Sequence, residues 1–327
     1  MSQRVAFVVI GRNEGERLGQ GLRTLRAISN QIVYVDSGST DGSVELARNL
    51  GVVALELDDS APHTAARGRN AGFREARERY QTCEYVQFID GDCILEPGWL
   101  ESATEFLDSN PKAAVACGRR IEAHPDESFY NRLIDEEWNT PVGRADYSGG
   151  DALVRASAFE QIGGFRPELK AGEEPEMTTR LRAEGWEIWR IDAPMTIHDA
   201  RIHRFGQWWT RSIRGGYGYA EVWSTTGQLP RRVFDAQLRR AFFWALGLPL
   251  VVFVVALSLR EPLLLLALPT IYFAQIVRIA ARRGFSLRSL QSASMILLAK
   301  LPESIGALSY FLGQKSNRLA DYKSTAG

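Results

Sequence analysis

Acidic residues follow two of the apolar runs that the sequence predicts as buried strands. Asp36 and Asp41 stand in the segment DSGSTD, directly after residues 32–35. Asp90 and Asp92 form an Asp-Gly-Asp motif directly after residues 86–89. A carboxylate at a strand end can accept hydrogen bonds from a base or ribose, and paired carboxylates suit Mg²⁺ or Mn²⁺ with substrate phosphates. Each motif alone is also common in turns and at helix N-termini, where it has only a structural role. The occurrence of both motifs at strand ends is therefore the stronger indication of a functional site.

A second acidic group lies further along the chain. Glu173, Glu174 and Glu176 stand at the start of a helix predicted over residues 176–184. The helix dipole favours negative charge at that end, so an acidic first turn also has a purely structural interpretation.

Alternating strands and helices must position these acids. Short apolar, largely β-branched runs at 5–10, 32–35, 52–55, 86–89 and 113–117 predict strands, and helical stretches at 14–28, 41–50 and 65–79 lie between them. This alternation predicts a mostly parallel sheet with helices on both faces, and ligands of such sheets bind beyond the carboxyl ends of the strands. No G-x-G-x-x-G follows the first run, which argues against a dinucleotide dehydrogenase.

The C-terminal region has the composition of a membrane segment. Residues 241–259 carry no charge, and a second apolar stretch covers 263–279, so each is long enough to cross a bilayer. Arg260-Glu261-Pro262 between them predicts a tight turn and a helical hairpin. Basic residues flank both outer ends, which by the positive-inside rule places those ends and everything N-terminal in the cytoplasm; they are Arg231, Arg232, Arg239, Arg240, Arg278, Arg282, Arg283 and Arg288. The alternative is a core hairpin buried in a soluble domain.

A third apolar region, 289–312, is interrupted by Lys300, Pro302 and Glu303, which favours an interfacial or re-entrant helix over a full span.

The charge distribution limits the partners. The chain contains 39 basic and 39 acidic residues, but residues 241–327 hold nine basic and three acidic ones. The remaining body is therefore acidic and a poor nucleic-acid binder, whereas the basic apolar tail suits an anionic membrane surface.

Taken in order, the motifs resemble those of the family 2 glycosyltransferases with the GT-A fold. The matching segments are VAFVVIGRNEGERL, VDSGSTDGS, AARGRNAG, FIDGDC, GGDALVRASAFEQIGGF and AGEEPEMTTRLRAEGW, and they cover about residues 4–225. The resemblance implies an α/β nucleotide-diphospho-sugar transferase domain with a Rossmann-like mixed sheet over 1–225, followed by a membrane region over 226–327. It also implies inverting transfer of a sugar to an acceptor hydroxyl.

The resemblance assigns roles to individual residues. Asp92 would hold a Mg²⁺ or Mn²⁺ that bridges the two phosphates of the donor. The family's Glu-Asp pair falls on Glu173-Glu174, which puts Glu174 at the catalytic-base position and leaves Glu173 open as the alternative. The donor-binding set would be Asp36, Ser37, Gly38, Asp41, Arg69, Asn70 and Asp90.

Other assignments have explicit structural alternatives. His198 follows a short predicted strand, where related enzymes often have a further metal ligand, although a lone histidine is more often structural. Gly150 and Asp151 would lie on a loop facing the acceptor, or Asp151 would simply cap the apolar helix predicted after it.

An aromatic and basic segment is the last group assigned to the acceptor. Gln207, Trp208, Trp209 and Arg211 resemble the residues that line the acceptor channel of polysaccharide synthases. Indole faces can stack on sugars and guanidinium groups can bind phosphate, but an amphipathic helix on the membrane is the alternative. The Q-x-x-R-W order of processive enzymes is not reproduced, which argues against polymerisation.

These expectations combine into one hypothesis. The chain is a multi-pass protein of the cytoplasmic (inner) membrane whose catalytic domain, in the cytoplasm, transfers a sugar from a nucleotide-diphospho-sugar to a lipid-linked or saccharide acceptor. The alternatives are a processive polysaccharide synthase of the same fold and a non-catalytic membrane scaffold. A sugar nucleotidyltransferase would need a Gly-rich phosphate loop that Gly11-Arg12-Asn13 does not supply.

Overall fold

Residues 3–228 and 232–313 of the chain are described in the computed structural model. They fall into two units: residues 3–203 with 226–228, and residues 204–225 with 232–313. The helix at 205–225, which the sequence prediction grouped with the catalytic domain, therefore belongs to the second unit. The predicted basic flank at Arg231 lies outside the described residues.

The first unit is built on a mixed sheet. Along the described chain its strands are β1 (Val5–Gly11), β2 (Ile32–Asp36), β3 (Val53–Glu56), β4 (Tyr85–Asp90), β5 (Cys93–Leu95), β6 (Ala113–Glu122), β7 (Gly143–Arg144), β8 (Ala152–Arg155) and β9 (Glu187–His198). The strand order is β3-β2-β1-β4-β8-β6-β9-β5, with β7 paired to β9. The block β3-β2-β1-β4 is parallel, and β8 joins it antiparallel.

Helices cover the sheet. They are α1 (Glu16–Arg26), α2 (Ser43–Asn49), α3 (Ala65–Arg79), α4 (Trp99–Ser109), α5 (Phe129–Trp138), α6 (Ala156–Gln161) and α7 (Glu173–Ala183). Strand β2 is buried along its whole length and β1 and β4 along all but their last residue, which explains their continuous apolar runs. Helix α3 has the predicted bounds, whereas α7 begins three residues earlier than predicted, at Glu173.

One predicted element is wrong. The segment Gly149-Gly150-Asp151 was expected to precede an apolar helix, but strand β8 follows it and α6 begins only at Ala156. The run Ala-Leu-Val pairs with β4 on one side and β6 on the other, in the middle of the sheet. A fully buried strand of this kind cannot be distinguished from a short buried helix by periodicity alone.

The second unit is helical. Helix α8 covers Phe205–Thr225, and two apolar helices cover Asp235–Leu259 and Pro262–Arg282. The most apolar windows of these two have mean hydropathies of 2.5 and 1.8, and only 6% of each window is buried. The first contains a π-helical turn at Phe243–Gly247, just before Pro249, whose missing N–H prevents regular α-helical bonding. Apolar helices this exposed do not fit the alternative of a buried core hairpin.

Two further helices follow, Leu287–Leu298 and Lys300–Phe311. Pro302 lies in the first turn of the second one, where the missing N–H would have no helical partner anyway. The interruption read from the sequence at 300–303 is thus the start of a new helix.

Two glycines allow α8 and the Lys300–Phe311 helix to touch. A Cβ added to Gly216 would lie 1.9 Å from the carbonyl oxygen of Glu303, and one added to Gly306 would lie 1.9 Å from the carbonyl oxygen of Ile213. Small residues that let two backbones approach in this way are typical of helix pairs in membranes.

This contact leads to a paired test. Gly216→Ala should destabilise the second unit by about 1–3 kcal/mol, because the new methyl group overpacks the contact. The neighbouring Gly215→Ala meets nothing within 4 Å and should be neutral or stabilising by about 0.5–1 kcal/mol through helix propensity. Thermal unfolding of the detergent-solubilised chain measures both, and equal melting temperatures would disprove the close contact.

Candidate active site

The predicted acids meet at one edge of the sheet. Asp36 ends β2 and pairs in register with Gly11 of β1, and Asp90 ends β4 and pairs with Ile10 of β1. The two residues are therefore carried by the strands on either side of β1, and these two strands are roughly 10 Å apart. This edge is where the carboxyl ends of the parallel strands meet.

The Asp36 carboxylate organises the loop that follows it. It is 1% exposed and accepts hydrogen bonds from the hydroxyl of Tyr34 (2.7 Å) and from the backbone N–H groups of Gly38 (2.9 Å) and Ser39 (2.6 Å). Gly38 has φ +82°, and a Cβ added to it would lie 3.3 Å from the His63 ring. His63 Nδ1 lies 2.9 Å from the Ser37 carbonyl oxygen. The loop is thus held in one shape before any ligand arrives.

Two of the predicted donor-binding residues already use their side chains inside the protein. Asp41 accepts from the backbone N–H and the hydroxyl of Ser43 at 3.1 and 2.6 Å, at the start of α2. The Asn70 amide donates to the Phe165 carbonyl (2.7 Å) and accepts from the Phe165 N–H (2.9 Å). Both side chains therefore stabilise the backbone around the site through hydrogen bonds to backbone groups.

Arg69 joins three acids. It projects from α3, is 2% exposed, and lies 2.8 Å from Asp90, 2.7 Å from Glu173 and 3.1 Å from Glu174. The residues come from α3, β4 and α7, so this one guanidinium brings separate elements to a common point. Gly150 packs on the same cluster: a Cβ there would lie 2.6 Å from Arg69 Nη2, and only glycine leaves that space free.

A second arginine, Arg120 on β6, lies behind Asp90. It lies 3.1 Å from Asp90 Oδ2 and 2.7 Å from Asp151 Oδ2. Burial alone would raise the pKa of Asp90, but the charges of Arg69 and Arg120 outweigh it and keep that pKa below its usual range. Asp90 is therefore a carboxylate at neutral pH.

Asp151, predicted to face an acceptor, is fully buried. Its Oδ1 accepts from the backbone N–H of Asp90 (2.9 Å) and its Oδ2 from the hydroxyl of Thr196 (2.6 Å). It does not cap a helix, because β8 follows it. The geometry makes Asp151 a support for Asp90.

The three glutamates of α7 differ in environment. Glu176 is buried and pairs with Arg166 (2.8 Å) and Arg180 (2.7 Å), so it has the structural role that an acidic first turn suggests. The Glu174 side chain is 15% exposed, against 8% for Glu173. Burial and the neighbouring charge of Glu173 raise the pKa of Glu174 to about 7, which suits a general base near neutral pH.

Asp92 and His198 are brought together as predicted cation ligands. Strand β5 pairs with β9 so that Cys93 lies opposite His198, and Asp92 Oδ2 is 3.4 Å from His198 Nε2. Two atoms that each lie about 2.1 Å from one ion, at 90–110°, are about 3.0–3.4 Å apart. The other ring nitrogen, Nδ1, is buried and has no hydrogen-bond partner among the described residues. The pair therefore fits a divalent cation.

Cys93 lies close to the same group. Burial raises the pKa of its thiol well above the usual value, so without a bound cation it is a neutral thiol. The remaining donors are a carboxylate and an imidazole, which suit Mn²⁺ better than a soft metal.

The predicted acceptor residues of the aromatic segment lie on α8, in the second unit. They are Gln207, Trp208, Trp209 and Arg211. Phe205 packs against both Trp208 and Trp209, with ring centroids 5.6 and 5.5 Å apart. Trp208 is buried and Trp209 partly exposed. Their role at an acceptor stays a prediction.

Sequence reasoning missed Arg120, Tyr34 and Trp138, whose ring packs on that of His198. Arg119-Arg120 is a basic pair that follows the apolar start of β6, and that anomaly was the available signal. Tyr34 alternates with buried valines and has no such signal.

This mixed sheet, with acids at the carboxyl ends of its parallel strands, has the GT-A type of glycosyltransferase fold. Residues 6–163 match the family model described as glycosyl transferase family 2. The chain is a glycosyltransferase, and its residues 6–163 are similar to this family.

Known proteins agree with this assignment. Glycosyltransferase AglE of Haloferax volcanii is 25% identical over 254 residues, which are 72% of this chain and 79% of that protein. Succinoglycan biosynthesis protein ExoA of Rhizobium meliloti is 25% identical over 207 residues, 59% of this chain and 62% of that protein. In structure, the mannosyltransferase PcManGT of Pyrobaculum calidifontis, solved with GDP-Man and Mn²⁺, is similar with a TM-score of 0.59 and 17% identity, over 95% of this chain and 88% of that one. That similarity supports the fold.

Proposed function

We propose that this chain transfers a sugar, with inversion, from a nucleotide-diphospho-sugar to an acceptor hydroxyl. The observation that carries the proposal is the Arg69 cluster, which holds Asp90 of the Asp-Gly-Asp motif and Glu174 of α7 at one guanidinium. A donor-side carboxylate and a base with a pKa of about 7 are thereby joined in one site. Inversion in a single displacement needs both.

Glu174 is the proposed base. It takes the proton of the acceptor hydroxyl as that oxygen forms a bond to the anomeric carbon and the bond to the diphosphate breaks. Glu173 lies closer to Arg69, at 2.7 Å, and keeps the guanidinium in place. Its charge also raises the proton affinity of Glu174.

The donor side is proposed to use the two strand-end loops. Asp36 and the backbone of Ser37 and Gly38 would bind the base, and Asp90 would bind the ribose or sugar hydroxyls. Asp92 and His198 would hold the divalent cation, which when bound neutralises the charge of the departing diphosphate. GDP-Man with Mn²⁺, the ligands of the Pyrobaculum structure, are the first to test, followed by UDP- and dTDP-sugars.

The acceptor is proposed to be lipid-linked and the site to face the cytoplasm. Two apolar helices, Asp235–Leu259 and Pro262–Arg282, are long enough to cross a bilayer, and arginines flank their outer ends. An anchored enzyme meets a lipid carrier in two dimensions, at a raised effective concentration. Single additions are expected, and long products would instead identify a processive synthase.

Replacing Asp92 by Asn tests the proposal. The variant should stay folded, lose nucleoside-diphosphate release from the donor, and no longer respond to Mn²⁺, because a neutral amide is a poor ligand for a hard cation. The expected loss of activity is about 10²-fold or more. Asp192→Asn, on the exposed surface of β9, is the matched control and should behave as wild type. A wild-type response of Asp92→Asn to Mn²⁺ would remove Asp92 from the cation site, and absence of transfer with every donor would favour a scaffold.

A further inference from the structure

Helix α5 packs both of its ends around the strand end that carries His198. At its C-terminal end, the Trp138 ring meets the His198 ring edge-to-face, with centroids 4.8 Å apart and planes at 87°. The Arg120 guanidinium carbon lies 5.4 Å from the centre of the same indole. One indole therefore contacts both the cation ligand and the arginine that pairs with Asp90.

The N-terminal end of α5 holds the chain that leaves His198. Asn131 is fully buried; its Oδ1 accepts from the backbone N–H of Ile202 (3.0 Å), and its Nδ2 donates to Glu122 (3.3 Å). Ser128 donates to the Ile202 carbonyl at 2.5 Å. The backbone N–H and the carbonyl of Ile202, four residues after His198, are thus both hydrogen-bonded to the N-terminal end of α5.

Glu122 completes this arrangement from the end of β6. Its buried carboxylate accepts from the backbone N–H of Ala200 at 3.1 Å, and the carbonyl of His198 accepts from the Ala123 N–H at 2.9 Å. The backbone of His198 and its imidazole are therefore fixed by different groups. Within the described ranges 3–228 and 232–313, the imidazole makes no hydrogen bond through Nδ1, so ring packing, rather than a hydrogen bond at that atom, restrains its orientation.

We propose that α5 orients His198 for the cation, with Trp138 and Asn131 as positioning residues. The inference rests on the proposed function, since it takes Asp92 and His198 as the cation site. Trp138 restricts rotation of the imidazole, and Asn131 restricts the backbone behind it. Groups that orient metal ligands typically contribute about 10- to 100-fold to metal affinity, so loss of Trp138 should weaken Mn²⁺ binding by that factor.

The test is direct Mn²⁺ binding to the full chain in detergent, with free Mn²⁺ measured by electron paramagnetic resonance and no donor present. Trp138→Leu should bind Mn²⁺ about tenfold or more weakly, and Trp138→Phe should restore most of the affinity, because a phenyl ring can pack edge-to-face on the imidazole. In transfer assays, Trp138→Leu should raise the Mn²⁺ concentration for half-maximal activity and leave the rate at saturating Mn²⁺ close to wild type.

Three further variants make the result decisive. Trp186→Leu is the matched control: it removes a half-buried indole that bonds Gln161 and should leave Mn²⁺ affinity unchanged. Asn131→Ala should weaken Mn²⁺ binding as Trp138→Leu does, and it serves as the readout if Trp138→Leu does not fold. His198→Ala should lose Mn²⁺ binding.

The outcomes separate the inference from the proposed function. Wild-type Mn²⁺ affinity in both Trp138→Leu and Asn131→Ala, together with loss in His198→Ala, would overturn the role of α5 and leave the cation site standing. Wild-type affinity in His198→Ala would remove His198 from the cation site, and the inference with it.

Discussion

Replacing Glu174 by Gln is expected to lower the transfer rate by about 10²–10⁴-fold, the usual contribution of a general base. The amide keeps the shape of the side chain but cannot accept the proton of the acceptor hydroxyl. The melting temperature should fall little or not at all, because one of the two adjacent acids at Arg69 is neutralised and Glu173 keeps its contact at 2.7 Å. Rates at saturating donor and acceptor, with thermal unfolding alongside, measure both effects.

The pH dependence follows from the same residue. Since the pKa of Glu174 is raised to about 7, the base is largely protonated at pH 6, and the wild-type rate should fall about tenfold per pH unit below that pKa. The Gln variant should lose this acid limb.

Two other glutamates serve as comparisons. Glu184→Gln, at the exposed C-terminal end of the same helix, is the control and should keep wild-type rates and pH profile. If Glu173→Gln abolished transfer while Glu174→Gln did not, the base would be Glu173.

Replacing Arg69 by Met should have the largest effect on stability. The substitution leaves Asp90, Glu173 and Glu174 close together without the buried guanidinium group that pairs with all three. Removing one partner of a buried ion pair costs about 3–5 kcal/mol, which corresponds to a fall in melting temperature on the order of 10 °C. Transfer should be lost as well, since the donor-side acid and the base are no longer held together.

The sign of the pH effect distinguishes this explanation from simple loss of packing. Without Arg69, the pKa values of the buried carboxyl groups rise in the folded state, so that state binds more protons than the unfolded one. Stability then falls as pH rises, and the deficit of the variant should be larger at pH 8 than at pH 5.

Arg79→Met is the control for Arg69→Met. Arg79 lies on the same helix, its side chain is 54% exposed, and within the described part of the chain it forms an ion pair only with Glu75, so its loss should change the melting temperature little. A deficit for Arg69→Met that did not depend on pH would argue against unpaired charge as its cause.

The parts of the fold that follow local rules were predictable. The strands that end at Asp36 and Asp90 were expected to within a residue or two, because buried parallel strands have continuous apolar runs. Helix α3 was expected with its observed bounds. The strand β8 was not, since a buried strand of four residues has no periodicity of its own.

The acids that cluster at the candidate site and Arg69 could be named from the sequence, whereas Arg120 could not. Asp92, Glu174 and His198 could be named from motifs, but the choice between Glu173 and Glu174 depends on exposure, which only tertiary packing determines. The role of Arg120 depends on the register of β6 against β8 and β9, and it joins residues that are 30 positions apart or more. Trp138 and His198 lie sixty positions apart in the sequence, so no local pattern predicts their contact.

The single guanidinium shared by Asp90, Glu173 and Glu174 also constrains how this sequence can diverge. A substitution that changes the charge of Arg69 or of any of these three acids alters the electrostatic environment of the other members. Few such substitutions should therefore leave stability and activity unchanged. Relatives that have a neutral residue at one of these positions should then differ at more than one member of the group, and such linked changes would mark lineages with a different arrangement of charges at this site.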